Sequence, residues 1–224
     1  SNPEIFIKTN INGTFNLLQT AKDNKIKRFH HISTDEVYGE LGVTGFFSEL
    51  SPYNPRNPYA ASKASSDFLV RSFSNTYDLP ITISNCSNNF GPRQHHEKFI
   101  PTIIKSLTNG NKVPIYGNGK NIRDWIYVTD HCEAIWRVIT HGVLGETYCI
   151  GSMCEKNNLE IVNEICIAMG IDPSKSIEFV NDRPGHDKRY AIDNSKIIRK
   201  LGWKPVVQFS KGIEKTLEWY SEKF

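Results

Sequence analysis

The sequence predicts an α/β fold: a doubly wound parallel sheet with a smaller mixed α/β unit beside it. Three observations carry this. Short apolar-leaning runs at 28–33, 81–85 and 146–150 have the length of buried strands. Between them lie longer segments with apolar residues at helical spacing, at 4–24, 59–77 and 129–141. Polar residues follow the strand-like runs directly, at the carboxyl edge where open parallel sheets bind ligands.

Bulk properties narrow the class of function. The 224 residues suffice for one large domain or two small ones. With 38% hydrophobic and 23% charged residues, the composition is that of an ordinary globular chain. A net charge of +3 without a dense basic run gives no argument for nucleic acid. No stretch approaches the roughly 20 apolar residues of a membrane span, and no signal peptide opens the chain, so a soluble, cytoplasmic protein is expected. Cys86, Cys132, Cys149, Cys154 and Cys166 show no Cys-x-x-Cys spacing and are expected as reduced structural thiols.

Taken in order, Glu4 to Asn24 reads as one helix behind Pro3, with Ile5, Ile7, Ile11, Phe15, Leu17, Leu18 and Ala21 apolar. Gly13-Thr14 in its middle lowers helix propensity and suggests a close approach. The strand from Arg28 runs into Ser33-Thr34-Asp35-Glu36-Val37-Tyr38-Gly39. In an extended strand Asp35 and Glu36 would point to opposite faces, so both serve one site only if the chain turns there. A solvated loop carboxylate is the alternative for either. The Pro-rich loop to Arg56 ends at Asn57-Pro58, a helix cap and first-turn pair. Tyr59 and Lys63 then share one helix face a turn apart. A nearby cation stabilises phenolate, drawing a pKa of about 10 towards the range of a general base.

The strand Ile81 to Asn85 ends in Asn88 and Asn89, which either bind a ligand or cap the turn at Gly91-Pro92. His95-His96 lacks a further spaced ligand, and no metal is expected. A helix over 97–107 and a strand from Val113 to a glycine turn at Gly117-Asn118-Gly119 follow. Arg123 is suited to fork onto a diphosphate, or else pairs with Asp124. After the strand to Ile150, a helix starts at Asn158, its expected cap, another runs from Asp193 to Leu201, and a last amphipathic one covers 213–220.

Three stretches together, Ser33 to Gly39, Tyr59-Ala60-Ala61-Ser62-Lys63, and Asn85-Cys86-Ser87-Asn88-Asn89-Phe90-Gly91-Pro92, closely resemble the dTDP-glucose 4,6-dehydratases, which are extended short-chain dehydrogenases/reductases. The resemblance runs from Asn2 to Phe224. It implies a Rossmann-like NAD-binding part over 1–92, joined again by 124–151, and a mainly substrate-binding part over 93–224. It further implies NAD as a recycled cofactor, dTDP-glucose as substrate, a homodimer formed through helices including that of Tyr59, and a place in deoxysugar (rhamnose, lipopolysaccharide) biosynthesis. The implied catalytic residues are Thr34, Asp35, Glu36, Tyr59 and Lys63. Cofactor contacts fall on Asn10, Ser33, Tyr59, Lys63 and Asn89. Substrate contacts fall on Thr34, Asn88, Lys98, Phe99, Pro114, Tyr116, Arg123, Asn158, Arg183, His186 and Tyr190, with Arg183 as an anion contact. For Asn10 a plain polar helix-face role stays open.

The resemblance implies that Tyr59 takes the C4 hydroxyl proton, Glu36 the C5 proton, and a protonated Asp35 expels the C6 hydroxyl as water. Epimerases and decarboxylases of the same superfamily share Tyr59 and Lys63, but do not typically carry adjacent Asp-Glu. G-x-G-x-x-G does not occur, and the one G-x-x-G-x-x-G spacing, Gly39-Gly42-Gly45, lies in the loop before Asn57-Pro58 and not between a first strand and its helix, where a dinucleotide pyrophosphate is held. The sequence is therefore expected to be the later part of a longer enzyme. A non-catalytic binding or scaffolding fragment is the alternative.

Overall fold

The computed structural model describes residues 2–182 and 185–221. Its first sheet is parallel throughout, in the order β1 (Phe29–Thr34), β2 (Ile81–Cys86), β6 (Thr147–Ile150). Thr34 aligns with Cys86, and Cys86 with Ile150. Three strand ends therefore open onto one carboxyl edge.

Helices cover both faces, as parallel sheets require. On one face α2 (Gly13–Asp23) and α3 (Pro58–Tyr77) bury Leu18, Ala21, Val70 and Phe73 against Ile81 and Ile83. On the other, α5 (Val128–His141) and α7 (Ser195–Leu201) bury Ala134, Val138 and Ile197 with Tyr148 and Ile150. Fully burying each such aliphatic side chain contributes about 1.5–3 kcal/mol.

The second core joins a sheet of β3 (Asn88–Phe90), β5 (Ile122–Tyr127) and β7 (Glu155–Asn157) to the parallel pair β4 (Val113–Tyr116) and β8 (Ile177–Val180). Its helices are α4 (Phe99–Thr108), α6 (Asn158–Ala168) and α8 (Phe209–Ser221). Strand β5 links the two cores through its period-2 alternation: Trp125 and Tyr127 face this core, Ile126 the other.

Several expectations are corrected. The first helix is three pieces: α1 (Glu4–Phe6), a π-helical stretch Ile7–Asn12, and α2. The π stretch docks on α3, where the Asn10 carbonyl accepts the Ser66 hydroxyl at 2.7 Å and its amide donates to Ser62 at 2.9 Å. Wider π turns free such groups from the helical ladder. Gly13 marks no close approach, since an added Cβ would meet nothing nearer than 3.9 Å. The cap of α6 is Asn157, which exchanges hydrogen bonds with Glu160 in a capping box. Strands β3, β5, β7 and β8 were not anticipated, and α8 starts four residues earlier than its apolar stripe indicated.

Loop 39–57 is fastened across the first sheet and the segment after residue 185. Phe47 bridges Ile192, and the Glu49 carboxylate accepts the Cys149 amide of β6 at 2.8 Å. The Arg189 guanidinium holds both Glu155 oxygens, at 2.6 and 2.8 Å, and donates to the carbonyls of Gly42 and Gly45. Among the described residues no helix is long and apolar enough to cross a membrane.

Candidate active site

At the end of β1, Thr34 is still extended, and its hydroxyl accepts the Glu36 amide at 3.3 Å. That contact starts a single 3-10 turn, Asp35–Tyr38. The turn closes at Gly39, whose φ of 90° and contact with the Asn54 carbonyl, 2.5 Å from where a Cβ would lie, leave room for glycine alone. The two carboxylates thus leave the strand's alternation and share one site.

Their surroundings differ. Asp35 is 2% exposed. Its Oδ1 accepts the Thr34 hydroxyl at 3.2 Å, and its Oδ2 has no hydrogen-bond partner among the described residues. Burial first, then the neighbouring carboxylates of Glu36 and Asp124, push its acid well above the usual range, against the pull of Arg123 and the Thr34 hydrogen bond. The fold therefore favours the protonated acid at Asp35. Glu36 is half-buried and accepts the Asn57 carboxamide at 3.3 Å.

Asn57 also caps α3, accepting the Ala60 amide at 2.8 Å, with Pro58 in the first turn. This cap aims Tyr59 at the site from the helix's first turn, its ring edge-on to Phe6 at 5.6 Å. In the protein alone Tyr59 does not titrate low. Burial, then Glu36, Cys86 and Asp35, hold its phenol above the ordinary value. The expected effect of Lys63 is not what dominates: the ammonium donates to the Ile32 carbonyl at 2.7 Å. A positive group brought beside the phenol would reverse this balance.

At the end of β2, the Asn85 amide holds the Thr34 carbonyl at 3.1 Å. Asn89 donates to the Ser87 carbonyl, and its own Oδ1 is buried and unpartnered among the described residues. Ser33 turns the other way, donating to Asp67 at 2.8 Å, so its hydroxyl is committed inside the fold. Asn88 is half-buried in β3 beside Asn89.

The remaining candidates are spread over β4, β5, α4, α6 and the segment after residue 185. Arg123 is buried, donates to the carbonyls of Ile122 and Asp187 at 2.7 and 2.8 Å, and covers the Tyr190 ring at 4.4 Å. Its expected alternative, an ion pair with Asp124, is replaced by these carbonyls. Tyr190 bonds Asp187, and Glu36 lies near enough to raise its phenol further. His186 meets Asp182 at 2.7 Å, beside Gly117 and the exposed Tyr116. Lys98 is exposed at the start of α4, Phe99 packs against the second core, Pro114 is half-buried in β4, and Asn158 opens α6. Arg183 lies outside the described residues. His95 and His96 are exposed, and among the described residues no three potential ligands gather for a metal.

Sequence reasoning missed Asp124 as a site group. It is buried, accepts Cys154 N at 2.8 Å and Ser152 N and Oγ at 3.1 Å, and its field reaches Asp35. An acid immediately before the apolar Trp125-Ile126-Tyr127 run was the available signal. Asn57 as a Glu36 partner was missed too, its capping role having accounted for it.

Known proteins resemble the chain over almost its whole length. A family model described as GDP-mannose 4,6 dehydratase matches residues 1–216. The dTDP-glucose 4,6-dehydratase of Neisseria gonorrhoeae is 50% identical over 235 residues, covering 96% of this chain and 68% of that protein. The chain belongs to the dTDP-glucose 4,6-dehydratase family. The Escherichia coli member is likewise 50% identical, over 97% of this chain and 67% of its own length. A Streptomyces venezuelae member, solved with NAD bound, superposes with a TM-score of 0.96 at 44% identity, over 99% of this chain and 68% of that one. A Thermotoga maritima UDP-glucose 4-epimerase shares the fold at TM-score 0.93 and 28% identity. The chain spans about two thirds of these family members' length.

Proposed function

We propose that the chain carries the catalytic residues of an enzyme converting dTDP-glucose to dTDP-4-keto-6-deoxyglucose and water. The observation that carries this reading is the buried Asp35, its acid pushed well above the usual range, directly beside the half-buried Glu36. Elimination across C5–C6 needs an acid and a base at the same moment, and unequal environments supply them. An epimerase has no use for the pair.

In this reading Tyr59 removes the C4 hydroxyl proton while the Thr34 hydroxyl holds the same oxygen. Glu36, oriented by Asn57, takes the proton from C5, and Asp35 gives its proton to the departing C6 hydroxyl. Glu36 then returns a proton to C5 as the product forms. The residues present fit the nicotinamide end of NAD: the Lys63 ammonium and the Tyr59 hydroxyl both lie near Cys86 at the end of β2, to whose Sγ the Asn89 carboxamide donates at 3.5 Å, leaving the buried Asn89 Oδ1 suited to accept from a carboxamide. NAD held there would supply the hydride acceptor for the oxidation at C4 and the hydride donor for the reduction at C6. The one G-x-x-G-x-x-G spacing, Gly39-Gly42-Gly45, lies in loop 39–57 and does not open a helix.

We further infer that residues 1–92 and 124–151 form the nucleotide-side part and the rest mainly the substrate part. The protein is proposed to be cytoplasmic and to dimerise through α2 and α3, whose Leu17, Phe15, Phe68 and Tyr77 are 62%, 46%, 58% and 52% exposed. Incubating the full-length protein with dTDP-glucose and NAD, and following the alkaline absorbance of the 4-keto sugar, tests the activity. Losses of about 10²–10⁴ in both Glu36→Gln and Asp35→Asn are expected. Full rate in either variant contradicts the reading.

A further inference from the structure

Beneath the site lies a buried carboxylate that the reaction above does not use. Asp67 follows Lys63 by one turn on α3 and is 0% exposed. Its Oδ2 accepts two hydroxyls, Ser33 at 2.8 Å and Tyr53 at 2.7 Å, and its Oδ1 stands 3.1 Å from His31 Nε2. His31 and Ser33 flank Ile32 on β1, and Ile32 offers the carbonyl that seats the Lys63 ammonium at 2.7 Å. The carboxylate therefore grips the strand on both sides of the lysine's seat, immediately before Thr34-Asp35-Glu36.

We propose that Asp67 is a positioning residue that keeps the Lys63 ammonium charged and seated on the Ile32 carbonyl. A buried carboxylate is costly unless hydrogen-bonded, and two hydroxyl donors offset that cost without cancelling its charge. The carboxylate lies one helix turn from an ammonium that is itself half-buried. Burial pulls Lys63 below its ordinary value, and Asp67 opposes this ahead of Cys86. The other groups facing the cluster are His31 on β1, Tyr53 with Arg71 behind it, and Cys86 on β2, with Asp35 and Glu36 beyond the strand end. The consequence for catalysis rests on the proposed role of Lys63; the electrostatic coupling does not.

The test is the titration of Lys63 itself in the full-length protein without substrate. Acetic anhydride modification of the Lys63 peptide is quantified by mass spectrometry between pH 7 and 10. In Asp67→Asn, Lys63 is expected to react at least about ten-fold faster at pH 8, corresponding to a fall of about one pKa unit or more. The alkaline limb of kcat for the 4-keto sugar moves to lower pH by the same amount, while KM changes less than two-fold. Asp67→Glu restores the wild-type titration. Tyr53→Phe leaves the carboxylate but strips one donor from it, so Lys63 is expected to react more slowly than in the wild type. That variant decides the matter if Asp67→Asn does not fold. A Lys63 titration unchanged in Asp67→Asn, or in Tyr53→Phe, overturns the proposal. Absence of dehydratase activity alongside the expected titration overturns only the functional reading.

Discussion

Replacing Asp35 with asparagine is expected to slow the dehydration and, at neutral pH, to stabilise the fold. The side chain is buried, its Oδ1 accepts the Thr34 hydroxyl, and its other oxygen meets no partner among the described residues. An amide keeps the acceptor and the volume, and faces the same space with an N–H where the acid has an O–H. What changes is ionisation. In the unfolded chain Asp35 loses its proton near pH 3.8; in the fold it holds that proton far higher. The folded state then binds the extra proton, so stability falls steadily as pH rises from the unfolded value and levels off only once the folded value is passed. Each unit of that displacement costs the wild type about 1.4 kcal/mol at pH 7. The Asp35→Asn variant escapes the cost, whereas below about pH 4 the two proteins converge. Loss of the proton donor lowers kcat by about 10²–10⁴. Urea unfolding at pH 4 and pH 7, beside single-turnover rates, reads both effects. A variant less stable than wild type at pH 7, with the gap closing at pH 4, would mean that Asp35 is ionised in the fold and would refute the acid assignment.

Other consequences follow from the same structure. Burial lowers His131 and the half-buried His30 to about 4; their stability contribution is intact above pH 6.5 and lost as pH falls towards 4. His131 accounts for about 3 kcal/mol of that loss, so His131→Gln should flatten the acid limb of a urea titration. Gly151→Ala would set a Cβ 2.3 Å from Asp124 Oδ2 and 3.2 Å from Ile192; about 1–3 kcal/mol of destabilisation is expected in thermal melts, with a further fall in kcat because Asp124 is displaced. Asn57→Ala should cost about 1 kcal/mol as a lost cap and lower kcat, whereas Asn57→Ser keeps the cap and lowers kcat alone. Equal rates in Asn57→Ser and wild type would remove Asn57 from the orientation of Glu36.

Much of the site's framework was legible because local chemistry dictates it. Two adjacent acids cannot share a face of an extended strand, so a turn at Asp35 was required, and Asn57-Pro58 announces a helix start in its own residue types. The long helices and central strands repeat their periods over enough residues to be read. Strands β3, β7 and β8 are three or four residues long, with Asn-Asn-Phe, Glu-Lys-Asn and Ile-Glu-Phe-Val, and pairing rather than propensity makes them strands. The effect of Lys63 on Tyr59 was misjudged for a related reason. A spacing of four sets two side chains on one face, but the Ile32 carbonyl that takes the ammonium arrives from 31 residues away. Asp124 and Asp67 were hidden likewise, since their meaning depends on which groups the fold packs against them.

The central claim is that Glu36 removes the C5 proton while Asp35 expels the C6 oxygen. Turnover of dTDP-glucose by the full-length protein with NAD in deuterium oxide, with the product read by NMR, tests it most directly. The account predicts a 4-keto-6-deoxy product carrying solvent deuterium at C5, and loss of that deuterium incorporation in Glu36→Gln. A product with inverted C4 and an intact C6 hydroxyl, or a dehydrated product with no solvent deuterium at C5, would contradict it.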